Sequence, residues 1–252
     1  MKKELISGSS WGDRMKLKLI GFWLNRRRFT PLILFLCRSV ALSGPGGRIR
    51  VFLKDHRDLK TFREVFLQKE YEVGVHVQPR FIVDLGANIG LSVAYFYLNY
   101  PDCHILAIEP DPRAFILLRK VCSQDRRLRC LNLAVAGKTG TLSLHVTNTA
   151  ISSSLFPRKG EIGTVEVECQ TFSDLVKDIS EIDILKIDVE GSEQYVLSDP
   201  AIQKTNIIIG EVHPDLIETP AVNLLDGLKN FSYETRPLAL ERFIFTAVKS
   251  YE

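Results

Sequence analysis

Two runs of this chain gather side chains that could do chemistry. The first is Phe81-Ile82-Val83-Asp84-Leu85-Gly86-Ala87-Asn88-Ile89-Gly90, an apolar strand that ends in an acid and turns through glycines into a helix. Gly86 and Gly90 permit a sharp turn and a close backbone approach to a ligand, with Ala87 and Asn88 completing the turn. The positive end of the following helix points at that ligand. Glu109, closing the next apolar run, lies 25 residues after Asp84. An acid at that strand end can accept both hydroxyls of a ribose. The pocket therefore suits a nucleoside-bearing cofactor. The pyrophosphate pattern G-x-G-x-x-G is not matched, because only Gly86 and Gly90 stand in place and an acid precedes them. A carboxylate and backbone carbonyls suit S-adenosylmethionine, which carries a sulfonium and an ammonium and no phosphate. Asn132 and Ala134, closing the third strand, border the adenine in such a topology.

The second run is Ile184-Leu185-Lys186-Ile187-Asp188-Val189-Glu190-Gly191-Ser192-Glu193. Lys186, Asp188 and Glu190 alternate with apolar residues and so point to one side of a strand. A central parallel strand is normally apolar on both faces. Three ionisable groups there are costly unless they pair or serve a site. Lys186 with Asp188 fits a structural ion pair as well as a catalytic one. Glu211 and His213 stand two residues apart at the end of a fifth strand. Asp188, Glu190, Glu193, Glu211 and His213 can together bind a polyhydroxylated substrate and take its proton. Asp188 or His213 is the base in this reading, Glu190 and Glu193 hold neighbouring hydroxyls, and Lys186 orients Asp188. Asp188, Glu190 and His213 can equally hold a divalent metal.

Alternation of strands and helices predicts an α/β fold with a largely parallel sheet covered on both faces. Strands are expected at 81–84, 104–109, 128–134, 182–188 and 206–212, with closing strands at 231–235 and 243–249. Helices are expected at 91–100, 112–122 and 220–229. A β insertion at 137–171, with antiparallel strands at 141–147 and 164–170, flanks Ser152-Ser153-Ser154 and can overhang the site. A lead-in segment at 48–79 holds a strand at 48–53 and a helix at 58–69 capped by Asp58.

The net charge of +3 hides an asymmetry. Residues 1–50 carry eleven Lys or Arg and two acids, or +9, and the remainder carries 22 basic and 28 acidic groups, or −6. An acidic body argues against tracking a phosphate backbone, so no nucleic-acid partner is expected. Five scattered cysteines without a Cys-x-x-Cys pair suit a reducing, cytoplasmic compartment. Residues 1–47 read as a basic helical arm ending at Gly44-Pro45-Gly46-Gly47. Its apolar run at 31–37 is bounded by Arg26-Arg27-Arg28 and Arg38 and is too short to span a bilayer. Such an arm can lie on an anionic membrane surface, or pack its helices on the domain with the basic faces in water. The domain proper is expected to run from 48 to 252.

With these runs in view, the chain resembles the FkbM family of S-adenosylmethionine-dependent methyltransferases. The resemblance rests on Asp84 to Gly90, Glu109-Pro110, Leu185 to Glu193 and Glu211-Val212-His213, and covers about residues 50–249. It implies a class I, Rossmann-like methyltransferase fold, with a seven-stranded, mainly parallel sheet. It also implies O-methylation of a hydroxyl on a sugar, glycan or polyketide-like molecule, with Ser153, Ser154, Glu193 and Glu211 on the acceptor side. Ser192 departs from the pattern, where a small apolar residue is usual. The rival readings are an NAD(P)-dependent oxidoreductase, which shares the strand–turn–helix logic, and a non-catalytic cofactor-binding relative.

Overall fold

The computed structural model describes residues 7–8, 10–23, 30–74, 77–148, 153–157, 160–217, 224–238 and 242–250. Arg26, Arg27, Arg28 and Ser152 therefore lie outside the described residues, as do 218–223. The N-terminal part is mixed, not purely helical. β1 (Ser7–Gly8), β2 (Ser39–Gly44) and β3 (Gly47–Phe52) form an antiparallel sheet. Helices α1 (Trp11–Trp23) and α2 (Thr30–Leu36) lie between β1 and β2. The Gly44–Gly47 stretch, expected to end the arm at 47/48, is instead the turn of the β2–β3 hairpin. Its glycines are needed there: Gly47 has φ +128°, and a Cβ on Gly46 would sit 1.7 Å from the Tyr97 carbonyl oxygen. The arm and the lead-in thus share one sheet, docked on the main domain by Gly46 N–H donating to Leu98 O at 3.0 Å.

The lead-in helix α3 (His56–Phe62) is capped by Asp55, not by Asp58 as expected. Asp58 occupies the third helical position and reaches back to the Asp55 backbone, which closes a capping box. Burial pushes the Asp58 carboxyl up to about 6. The helix runs on as a π-helical turn, Arg63–Leu67.

The main sheet holds β4 (Phe81–Leu85), β5 (His104–Ile108), β6 (Leu128–Leu131), β10 (Ile182–Ile187), β11 (Thr205–Val212), β12 (Phe231–Pro237) and β13 (Phe243–Lys249). The intervening β7 (Ala134–Val135), β8 (Gly140–Thr147) and β9 (Glu161–Gln170) form a separate three-stranded sheet in the order β7-β9-β8. In the main sheet the order is β6-β5-β4-β10-β11-β13-β12. All neighbours are parallel except β13, which inserts antiparallel between β11 and β12. The direction of winding reverses between β4 and β10, which places a crevice at their carboxyl ends. The expected third strand splits: its last residues leave the sheet as β7 and carry the insertion.

Helices α4 (Leu91–Asn99) and α5 (Pro112–Cys122) cover one face, with Phe62, Phe96, Leu118 and Ile184 in one core. Helices α6 (Phe172–Leu175) and α7 (Glu193–Leu197) cover the other, around Phe172, Val196 and Phe245. In place of the helix expected at 220–229, the described residues hold a 3-10 turn, Leu225–Gly227. All five cysteines are free thiols. No described helix is long and apolar enough to cross a membrane.

Candidate active site

The carboxyl ends of β4, β5, β10 and β11 open into a cavity of about 870 Å³. One wall begins at the turn after β4. Gly86 N–H and Ala87 N–H both donate to Ile108 O, at 3.0 and 2.9 Å. Gly86 has φ +77°, and a Cβ there would meet the Asp188 carbonyl oxygen at 1.8 Å. Asn88 is also left-handed, with φ +47°, which presents its N–H to Glu109 Oε2 at 2.8 Å. Glu109 Oε1 accepts from Asp111 N–H at 2.8 Å. Burial pushes the Glu109 carboxyl up to about 8 despite both bonds. Asn132 donates to Glu109 O and Pro110 O, at 2.8 and 2.9 Å, and so sets the turn that aims Glu109. Ala134 lines the cavity directly. Gly90 does not; it has φ +90°, starts α4 and makes room for Leu118 and Val121.

Asp84 is placed differently from the expectation. It is fully buried beneath the loop, where Oδ2 accepts from the Ser92 hydroxyl at 2.5 Å and Oδ1 lies 3.3 Å from Lys186 Nζ. The two residues are register partners on β4 and β10. Asp84 therefore acts on the loop after β4 through Lys186. That ammonium donates to Gly86 O at 2.7 Å and Leu85 O at 3.2 Å, and lies 3.6 Å from Asp188 Oδ2. Burial alone would lower the Lys186 pKa, but Asp84 and Asp188 outweigh it and hold it raised. Its contacts make Lys186 a clamp between the loop after β4 and the residues that follow β10.

A second wall centres on His213, which is 1% exposed. Its Nδ1 lies 2.6 Å from Glu193 Oε1. Its Nε2 faces three carboxylates: Glu211 at 3.4 Å, Glu190 at 3.6 Å and Asp188 at 4.0 Å. Burial lowers the His213 pKa, yet the Glu193 hydrogen bond and the charges of Glu190 and Asp188 prevail and push it up to about 9. At neutral pH the ring is an imidazolium that offsets the acids around it. Burial, then Asp188 and Glu190, push Glu211 up to about 7. One ligand atom from each of Asp188, Glu211 and His213 lies within 4.8 Å of the others, a donor set of the kind that holds a divalent cation.

Glu193, expected on the acceptor side, is wholly buried. Its Oε2 accepts from Gly191 N–H at 2.8 Å and its other oxygen holds His213, so it positions the ring. Ser153 and Ser154 line the cavity, but their hydroxyls are already committed. Ser153 donates to Asp111 Oδ2 at 2.6 Å. Ser154 donates to Glu190 O at 2.7 Å and so pins Glu190 in its left-handed conformation, φ +48°. A non-glycine residue held there stores strain of about 1–3 kcal/mol, a common mark of functional loops.

Glu70, Tyr71 and Arg242 are among the cavity residues not singled out as site residues from sequence. Glu70, pushed up to about 7 by burial and by Glu64 and Asp188, and Tyr71, whose ring lies 5.7 Å from Lys186 Nζ, come from the lead-in. Arg242 lies 4.0 Å from Glu211 and 3.3 Å from Asp215. Antiparallel pairing of Val212 with Phe243 brings it beside His213. A closing strand that runs backwards past β11 delivers its first residues to the carboxyl end of the sheet, and that rule could have found Arg242.

Residues 84–234, more than half of the chain, match the family model of the methyltransferase FkbM domain. The chain belongs to the FkbM methyltransferase family. Methyltransferase sdnD of Sordaria araneosa is 30% identical over 171 residues, 54% of this chain and 66% of that protein, just under two thirds of its length. The 31-O-demethyl-FK506 methyltransferase FkbM of Streptomyces tacrolimicus is 29% identical over 192 residues, 60% of this chain and 73% of its own. The 2-O-methyltransferase NoeI of Sinorhizobium fredii is 25% identical over 173 residues, 60% and 71% of the two chains. This FkbM-family chain is a methyltransferase with an α/β fold built on a seven-stranded, mainly parallel sheet, of a family that uses S-adenosylmethionine.

Proposed function

We propose that this FkbM-family protein transfers a methyl group from S-adenosylmethionine to a hydroxyl of a sugar, glycan or polyketide-like acceptor. The observation that carries the reading is the set of carboxylates around His213 Nε2, in the same cavity as Gly86 and Glu109. Acids packed around an imidazole can hold several hydroxyls of one ring. Two relatives named as O-methyltransferases favour the same acceptor chemistry.

The residues fit the cofactor. Glu109 can accept from the ribose, and the buried Asn88 Oδ1, without a hydrogen-bond partner, offers an acceptor to a cofactor donor. When bound, the cofactor supplies an electrophilic methyl on sulfonium. The chain's part is to bring an acceptor oxygen in line, worth roughly 7–11 kcal/mol, and to receive its proton. Asp188 receives it in this reading, because His213 is already protonated at neutral pH. Lys186 and Glu193 hold Asp188 and His213 in place.

A thermal-shift series tests the reading. S-adenosylhomocysteine at a hundred times its dissociation constant should stabilise the protein by about 2.7 kcal/mol, with NAD and NADP giving no shift. The reverse pattern would restore the oxidoreductase reading, and no shift with any of them would favour a non-catalytic relative.

The raised His213 pKa has a stability consequence. Folding moves it from 6.5 to about 9, so the folded state binds the proton more tightly. This contribution is complete below about 6.5 and is lost as pH rises through about 9. In the presence of a chelator, the wild-type unfolding midpoint should fall from neutral pH to about 9 more steeply than that of His213→Asn. Equal slopes would contradict the assignment of the proton to His213.

A further inference from the structure

The outer face of α2 is apolar. Leu32, Phe35 and Leu36 are 55%, 72% and 43% exposed, and they recur at the spacing of one helix face. The opposite face is buried, with Ile33 and Cys37 in the core. From α1, Met15 adds a further 40%-exposed side chain. Arg14 and Lys18 on α1, and Arg38 just past α2, are exposed.

Both helices are fixed by their inner sides. Lys16 Nζ donates to Ser39 O at 2.7 Å, Ala41 N–H donates to Asp13 Oδ1 at 3.1 Å, and the Cys37 thiol donates to Lys16 O at 3.7 Å. A rigid platform therefore presents an aromatic and two leucines outward, which a surface in water alone does not call for.

Charge indicates what covers it. Residues 1–50 carry +9, against −6 for the rest. Apolar side chains between Arg and Lys are the composition of helices that lie in a membrane interface. Anionic headgroups attract each added basic residue. A second copy would bring the same positive charge against this face, which disfavours self-association.

We propose that this face of α1 and α2 docks the protein on an anionic lipid bilayer. Leu32, Phe35 and Leu36 enter the headgroup–acyl boundary, and Arg14, Lys18 and Arg38 meet the lipid phosphates. The contact is peripheral and independent of the catalytic reading.

The full chain is sedimented with vesicles of phosphatidylcholine alone and of phosphatidylcholine mixed with phosphatidylglycerol. Binding should be about tenfold or more stronger to the mixed vesicles and should weaken as salt is raised. Phe35→Asp, and separately the triple change Arg14→Glu, Lys18→Glu, Arg38→Glu, should each lower that binding about tenfold. The unfolding midpoint of each variant should match that of the wild type, as expected for exposed positions, which shows both folded. Absent binding, equal binding to the two vesicles, or binding indifferent to both changes overturns the proposal. It also falls if sedimentation velocity shows a wild-type dimer that Phe35→Asp converts to monomer, since the face would then join two copies.

Discussion

Asp188→Asn is expected to lower kcat for methyl transfer by about 10²–10⁴-fold, the usual worth of a positioned proton acceptor, with little change in S-adenosylhomocysteine affinity. The amide keeps the shape of the side chain and removes its basicity. Because Asp188 lies 3.6 Å from Lys186 and 4.0 Å from His213, the change also leaves two cations less well balanced, so cofactor affinity is the necessary control. The pH profile separates the two candidate bases. If Asp188 takes the proton, kcat should be level from neutral pH through about 9, where His213 titrates. If His213 were the base, kcat would climb through that value, and Asp188→Asn would keep the climb. Loss of Asp188 and His213 together with less than a tenfold fall in kcat would remove both from the chemistry.

Gly86→Ala is the second large effect. A Cβ at this position would lie 1.8 Å from the Asp188 carbonyl oxygen, on a residue with φ +77°. Left-handed backbone costs an L-residue about 1–2 kcal/mol and overpacking about 1–3 kcal/mol. The sum is about 2–5 kcal/mol, or a fall in Tm of roughly 10 °C for a domain of this size. Relief of the clash must separate β4 from the loop after β10, which breaks the Asp188 N–H to Leu85 O bond of 3.1 Å. S-adenosylhomocysteine binding should be lost even in whatever fraction folds. A variant with wild-type Tm and affinity would show that the two loops are not in contact.

Much of the fold is legible in the sequence because its signals are local. The helix at 112–122 is bounded as expected, since Asp111 caps it and Pro112 is preorganised for its first turn. Asp55 and Asp58 show where local signals fail: either acid can cap, and only the reach of Asp58 back to two backbone N–H groups decides. The candidate site divides in the same way. Alternation puts Lys186 and Asp188 on one side of β10, but cannot say that Lys186 is covered by the loop while Asp188 reaches the cavity. Glu193 and Asp84 look like site carboxylates in sequence. Strand register places Asp84 behind Lys186, and the start of α7 places Glu193 behind His213. Glu70, Tyr71 and Arg242 enter from segments remote in sequence, through packing and antiparallel pairing.

The insertion of β13 between β11 and β12 has a consequence for biogenesis. As the chain is synthesised, β11 emerges with one edge unpaired and acquires its neighbour only when residues 243–249 have left the ribosome. Until then Ile208 and Val212 belong to an open edge, the kind of surface that pairs with other chains. His213 also stands without Arg242 during that interval. Nascent chains stalled before β13 should therefore engage chaperones.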